Sequence, residues 1–379
     1  MLGVAWHGAQ SSVGGVVTQS LSRDLNYRLT ADPTRMEKGF KSAEASARVF
    51  ERELAKLEAQ QKRVDDASAK VGRGLLIAGA AIGAGLVLAT RAAMQWQSQW
   101  TGVLKTVEGS PAQLAALEGE LRGLARTLKV SRSHEQVAAV AEAAGQLGVK
   151  RQDIAAFTKT MIDMGISTNL SATDAATAIA RMANIMGTAP EDVRRLASAI
   201  VALGNDGAST ETEILEMALR IAGAGKVVGL TEHQVLAFAN TLSSVGIEAE
   251  AGGSAISRTF ISIAQAVRSG GEELDGFARV AGMTSAQFKT AFEQDAAAAI
   301  NAFIIGLGEM NAVGGDVFGT LEDLGLSEIR VRDALLRLAS AGDLTTHSLQ
   351  VGSRAWDENI ALTEEANRRY GTTEARLAG

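Results

Sequence analysis

Gly229-Leu-Thr-Glu-His-Gln-Val-Leu-Ala-Phe-Ala-Asn-Thr-Leu-Ser-Ser-Val-Gly-Ile247 carries start and stop signals for one short helix within a single stretch. A threonine at the N-cap accepts a hydrogen bond from the backbone N–H three residues on, and a glutamine there reaches back to the cap. Thr231 and Gln234 have that spacing. Val235, Phe238, Ala239 and Leu242 then recur at helical intervals, so the helix has one apolar face to bury. Gly246 follows, where a residue without Cβ closes a helix at least cost.

The same punctuation extends outward in both directions. Ser133 with Gln136, Thr188 with Glu191, Thr210 with Glu213 and Thr284 with Gln287 share the spacing, and Ser110-Pro111-Ala-Gln113 repeats it upstream. Pro190, just after Thr188, falls in a first turn, where proline is tolerated. Apolar stripes follow the caps: Val193, Leu196, Ala197 and Ile200 in one, and a longer one through Phe288, Ala291, Phe292, Ile300, Phe303, Ile304 and Leu307. Gly145, Gly148, Gly187, Gly204 and Gly282 are expected to close units in the manner of Gly246. From Ser131 to Leu338 the chain therefore predicts an all-α domain, an array of short capped helices packed as a bundle.

Composition narrows the function classes. The 379 residues are 46% hydrophobic and hold three prolines, enough apolar material for real cores. Aromatics make up only 4% while glycine reaches 40 copies, so packing has to rely on close approach of helices. A net charge of −6 lacks the basic footprint that phosphate binding needs, and no specific nucleic-acid binding is expected. With no cysteine, disulfides and thiolate chemistry are excluded. Met1 to Gly15 lack a basic n-region and an apolar core, which implies synthesis in a cytoplasm.

The N-terminal part divides into three segments. Residues 1–35 read as a flexible Gly/Ser-rich segment in which Asp24 to Ala31 alternates like a short strand, ended by Asp32-Pro33. Residues 36–73 read as one long helix with heptad spacing: Phe40, Phe50, Leu54 and Leu57 lie on its seam, with Glu44, Glu51, Glu58 and Asp65 beside it. That pattern suits a coiled coil, and so self-association, or a single amphipathic helix docked along a neighbour. Residues 74–100 open on an uncharged run from Gly74 to Ala89, close to the length needed to span a membrane. Leu75, Ile77, Ile82 and Leu86 supply its apolar surface, Gly79 and Gly83 form a GxxxG pair, and Trp96 and Trp100 lie one turn apart just beyond it. The run suits a helix packed through its small residues or one that contacts a membrane.

No catalytic constellation emerges. His7, His134, His233 and His347 are too widely spaced for an H-E-x-x-H zinc site. Glu118, Glu142, Glu213, Glu216 and Glu248 could in principle supply a glycosidase pair, but first-turn capping and solvation explain such positions. Gly223-Ala-Gly-Lys226-Val227 lacks the first glycine and the Ser/Thr of a phosphate loop and reads as a helix-ending turn. The chain is expected to be no enzyme and to need no cofactor or metal.

The run Gly229 to Ile247, continued by Glu-Ala-Glu-Ala-Gly-Gly-Ser-Ala255, resembles the core segment of phage tail tape-measure proteins. Supporting elements stand in the same order around it. Ala144-Gly-Gln-Leu-Gly148 and Leu203-Gly-Asn205 lie upstream; Gly282-Met-Thr284, Leu324-Gly-Leu-Ser-Glu-Ile329 and Asn367-Arg-Arg-Tyr-Gly-Thr372 lie downstream. The resemblance spans roughly residues 90 to 372, with residues 101–350 as the helical core and residues 351–379 as the start of a further helix. It implies a structural protein of the tail lumen that sets tube length during assembly and leaves on infection, with the apolar run free to enter the host inner membrane. The partners so implied are the tail tube protein, tail assembly chaperones, tail tip proteins and further copies of the chain. Tape-measure chains are usually much longer, because a helix rises only about 1.5 Å per residue, so the resemblance also implies a core fragment or a truncated prophage remnant. The competing expectation is a helical adaptor of cellular origin that binds partner helices.

Overall fold

The computed structural model describes residues 96–128 and 133–371, and sixteen helices account for most of them. The expected strand at 24–31, the heptad helix at 36–73 and the apolar run at 74–89 lie outside the described residues. So do all of their assigned positions: Phe40, Phe50, Leu54, Leu57, Leu75, Ile77, Gly79, Ile82, Gly83 and Leu86.

Helix α1 covers residues 96–106, followed by α2 (Pro111–Thr127), α3 (Ser133–Gln146), α4 (Ile154–Ser167) and α5 (Ala172–Met186). The middle of the chain holds α6 (Val193–Asp206), α7 (Glu211–Val227), α8 (Glu232–Ser244) and α9 (Ala249–Ser269), the longest helix among the described residues. Then come α10 (Gly271–Val280), α11 (Ser285–Gln294), α12 (Ala296–Ala312), α13 (Val317–Asp323) and α14 (Ile329–Ala339). Two helices, α15 (Gly342–Glu358) and α16 (Ala361–Tyr370), end the described chain, and the boundary drawn at residue 350 falls inside α15. Among the described residues there is no strand, and the fold is all-α.

Consecutive helices pack mainly on their sequence neighbours, with α7 lying against α5, α8 and α9 at the centre. The last three helices break that order: α14 packs on α9, α15 returns to cover α6 and α8, and α16 lies on α4 and α6. The interior is continuous through all these elements. Phe238 meets Phe260 edge-to-face with centroids 5.3 Å apart, and Phe277 meets Phe303 at 5.1 Å. Elsewhere the helices approach through glycine. A Cβ on Gly306 of α12 would stand 1.8 Å from the carbonyl oxygen of Val280, and one on Gly308 2.4 Å from that of Ala339.

Capping follows the sequence at most of the expected places. Reciprocal cap bonds form at Ser110/Gln113, Thr210/Glu213 and Thr284/Gln287, and at the N-cap Thr231 the backbone N–H donates to Gln234 Oε1 at 3.0 Å while its hydroxyl meets His233. The side chain of Ser133 lies outside the description. Thr188 is a correction: its hydroxyl donates to Glu232 at 2.7 Å, and the turn at Pro190–Asp192 takes Ala189 as its N-cap. The spacing was right, but a three-residue 3₁₀ turn leaves no full helical turn for the reciprocal bond. The long stripe from Phe288 to Leu307 is likewise two helices, because the carboxylate of Asp295 accepts from Ala297 and Ala298 N–H and starts α12. Gly145 and Gly204 do not close helices but lie within α3 and α6, where a Cβ would meet Thr106 at 2.4 Å and Glu211 at 2.7 Å.

Candidate functional site

The segment singled out by its sequence becomes a helix–turn–helix at the centre of the fold. Gly229 has φ +87° and turns the chain out of α7, Leu230 drops into the core, Thr231 caps α8, and Gly246 at φ +72° turns it again into α9. At each turn the residue after the glycine donates its N–H to the carbonyl five residues back, Leu230 to Gly225 at 2.9 Å and Ile247 to Leu242 at 3.1 Å. The ordered elements around it use the same device: Val149 bonds to Ala144, Met283 to Ala278 and Leu326 to Leu321, at 3.0, 2.9 and 2.7 Å. Five elements of the resemblance are thus one physical unit, a left-handed glycine and a following apolar residue that pins the turn. Leu203-Gly-Asn205 differs, being a point of close approach inside α6.

Beside the second of these turns lies a groove of about 1080 Å³, lined by Arg181, Glu213, Glu216, Arg220, Ile247 and Glu248 among others. Three of the carboxylates weighed for hydrolysis therefore share one surface. Glu213 is committed to capping: hydrogen bonds from the backbone N–H and hydroxyl of Thr210 hold its carboxyl below the usual range, the reverse of what a general acid needs. Glu118 lies apart, accepting from Trp96 Nε1 at 2.9 Å and Arg122 at 2.7 Å, and Glu142 receives the amide of Gln146 at 3.5 Å. Gly223 to Val227 forms the last turns of α7.

The two tryptophans assigned to membrane contact or helix packing are in the interior. Trp96 and Trp100 are 2% and 8% exposed, stacked at 6.4 Å, with the Arg122 guanidinium 5.2 Å above the Trp96 ring. No helix among the described residues is long and apolar enough to cross a membrane. Three histidines are described, each with its own partner. His134 stacks edge-on against Trp96, His233 lies 5.6 Å from Trp356, and His347 meets Asp206 at 2.8 Å. Burial holds both His134 and His233 below the ordinary imidazole range. Among the described residues no cluster of three or more His, Asp or Glu is placed to hold a metal.

Polar chemistry concentrates where the last two helices return. Asp163, 2% exposed on α4, accepts from Lys159 at 2.6 Å and from the Tyr370 hydroxyl at 3.2 Å, with Arg194 at 3.9 Å. Arg194 also donates to Thr363, Arg195 to the Trp356 carbonyl at 3.0 Å, and the Leu362 N–H to Ser198 at 3.3 Å. Deeper, Ser209 donates to Asn240 at 2.5 Å and Asn240 to Ser348 at 3.0 Å. The sequence reading did not single out this clasp. Lys159 and Asp163 do stand at i,i+4 spacing, and Tyr370 sits in the Asn-Arg-Arg-Tyr element, but nothing local joins them across 207 residues.

Asp163→Ala would leave the Tyr370 hydroxyl without its acceptor and Arg194 without its buried carboxylate. A loss of about 2–3 kcal/mol is expected, since hydrogen bonds to charged groups are worth about twice neutral ones. Denaturant titration of the full chain checks it, and a midpoint unchanged from wild type would refute the role. The clasp also carries a pH signature. Burial, then the charge of Asp163, raises the Tyr370 phenol above its ordinary 10.0, so its contribution is complete below that value and is lost as pH rises through the raised one. Tyr370→Phe should flatten the alkaline limb of the stability profile.

A second groove, of about 740 Å³, opens between α8, the start of α12 and α15. Its lining includes Asn301, whose Oδ1 is enclosed with no hydrogen-bond partner. Such an oxygen costs folding about 1–3 kcal/mol.

Searches of curated proteins and of solved structures find no significant match. The model of the phage-related minor tail protein family matches residues 118–319, which take in the central helix–turn–helix and more than half of the 379 residues, and the chain belongs to that family.

Proposed function

We propose that the chain is a tape-measure component of the tail: it lies in the tail lumen, takes part in setting tube length during assembly, and is released on infection. What supports this is the series of five glycine turns, in the order in which the elements of tape-measure cores stand, running through and just beyond the region matched by the family. The packed unit works in this reading by helix packing and not by catalysis. Its partners are the tube and tip proteins, an assembly chaperone and other copies of the chain.

The packed helices cannot themselves be the ruler. A ruler needs chain laid out at a fixed rise, about 1.5 Å per residue for a single helix, whereas α2 to α16 double back on one another. Residues 36–73, with their heptad spacing, suit one stretch of such a ruler, supplying about 60 Å of its length rather than the whole of it. Inserting three heptads there should lengthen tails by about 30 Å in electron micrographs. Tails of unchanged length, with the longer chain incorporated, would overturn the assignment.

The reading extends to membrane contact by the run from Gly74 to Ala89 during ejection. Because Trp96 and Trp100 are buried, any joint action with that run requires α1 to leave its site against α2 and α3. A peptide spanning Arg73 to Trp100 should bind liposomes as a helix, and failure to bind at any lipid ratio removes this step.

A further inference from the structure

Two residues, Asn359 and Ile360, separate α15 from α16. Asn359 has φ +52°, and among the described residues it is the one residue other than glycine with positive φ. That conformation carries a cost which glycine avoids, although asparagine tolerates it better than most side chains. Asn359 Oδ1 is enclosed with no hydrogen-bond partner, Ile360 is 46% exposed, and α16 starts without a side-chain cap. Turning Asn359 into the right-handed region removes the backbone cost and lets α15 run on into α16. The result is one helix from residue 342 to residue 370, about 40 Å long, in which the first N–H groups of α16 find helical carbonyls.

The contacts that hold α16 in place are few and transferable. Leu362 and Ala366 are its buried apolar side chains. The other holds are directional: Leu362 N–H donates to Ser198, Arg194 to Thr363, and the Tyr370 hydroxyl to Asp163. Glu365, also buried, carries its counter-charges on the same helix, Arg368 at 3.1 Å and Arg369 at 2.9 Å. None of these contacts requires α16 and the surface of α4 and α6 to belong to one copy of the chain. A second copy offers the same surface with the same partners.

We propose that two copies of the chain exchange α16, each laying its helix on α4 and α6 of the other once Asn359 straightens. The exchanged dimer regains every contact that opening breaks, and it relieves two hinges to set against the entropy of association. Exchange of this kind does not depend on a role in setting tube length.

Sedimentation of the full chain at several concentrations tests this, because residue 359 can be changed in opposite senses. Asn359→Ala disfavours positive φ and favours the continuous helix, so dimer formation should tighten by about tenfold or more. Asn359→Gly fits the turn and disfavours the helix, so it should weaken by about the same factor. Association through the heptad segment would respond to neither. The chain has no cysteine, so a copy bearing Ser198→Cys can be mixed with one bearing Leu362→Cys. Oxidation should then join the two copies by a disulfide. Should Leu362→Cys fail to fold, Arg194→Cys mixed with Thr363→Cys, at the half-buried margin of the same contact, should be joined by a short bismaleimide. Association unmoved by both hinge variants, or the absence of any link between copies, overturns the exchange.

Discussion

Replacing Phe238 with alanine is expected to remove about 3–5 kcal/mol of folding stability, the range for emptying a fully buried aromatic site. Phe238 has no exposed surface and its ring edge meets Phe260, so truncation empties the joint between α8 and α9 on which the central turn is built. At about 2–4 °C per kcal/mol for a unit of this size, thermal unfolding should fall by about 6–20 °C. Phe318 is the control. It is 58% exposed and carries the Arg332 guanidinium over its face at 5.6 Å, so Phe318→Ala should change stability by no more than about 0.5 kcal/mol. Equal effects at the two positions would contradict the packing described.

Glycine-to-alanine substitutions should divide by sign. At Gly306 the added methyl would stand 1.8 Å from the Val280 carbonyl oxygen, and backbone at that distance cannot swing aside as a side chain can. The helix has to move, at a cost at or above the upper end of the ~1–3 kcal/mol typical of overpacked cores. Gly223, exposed on α7, has nothing within 4 Å of its notional Cβ. There alanine should stabilise by about 0.5–1 kcal/mol, through better helix propensity and a less flexible unfolded chain. Denaturant midpoints of the two variants, measured side by side, test the contrast: a Gly306→Ala protein as stable as wild type would mean that α10 and α12 do not touch there.

What the sequence made legible was local. Thr210, Thr231 and Thr284 carry their cap partners three residues away, and Gly246 and Gly282 their turn bonds within six, so neighbouring residues suffice to place those ends. Apolar stripes such as Val193–Ile200 and Val235–Leu242 read correctly because burial of one helix face follows directly from periodicity. Errors arose where a distant group decided the outcome. Gly145 and Gly204 look like terminators until Thr106 and Glu211 are known to press on them. Thr188 looks like a cap until Glu232 is seen to take its hydroxyl. Asp295 was legible in principle, since aspartate is a strong N-cap, but the apolar stripe on either side of it hid the break. The clasp on Asp163 and the bare oxygen of Asn301 belong to the last group, created by helices that return from far along the chain.

That return has a consequence for how the protein is made. Most helices here find their partners among chain already synthesised nearby, the arrangement that lets a polypeptide fold quickly as it emerges. The surfaces of α4 and α6 are different, because α16 cannot cover them until Tyr370 has left the ribosome, 207 residues after Asp163. At about 5–20 residues per second, those apolar faces stay open for roughly 10–40 s on every nascent chain. A binding protein present in that interval would find an unfinished helical layer with a buried-type carboxylate still exposed, and completion of α16 would displace it.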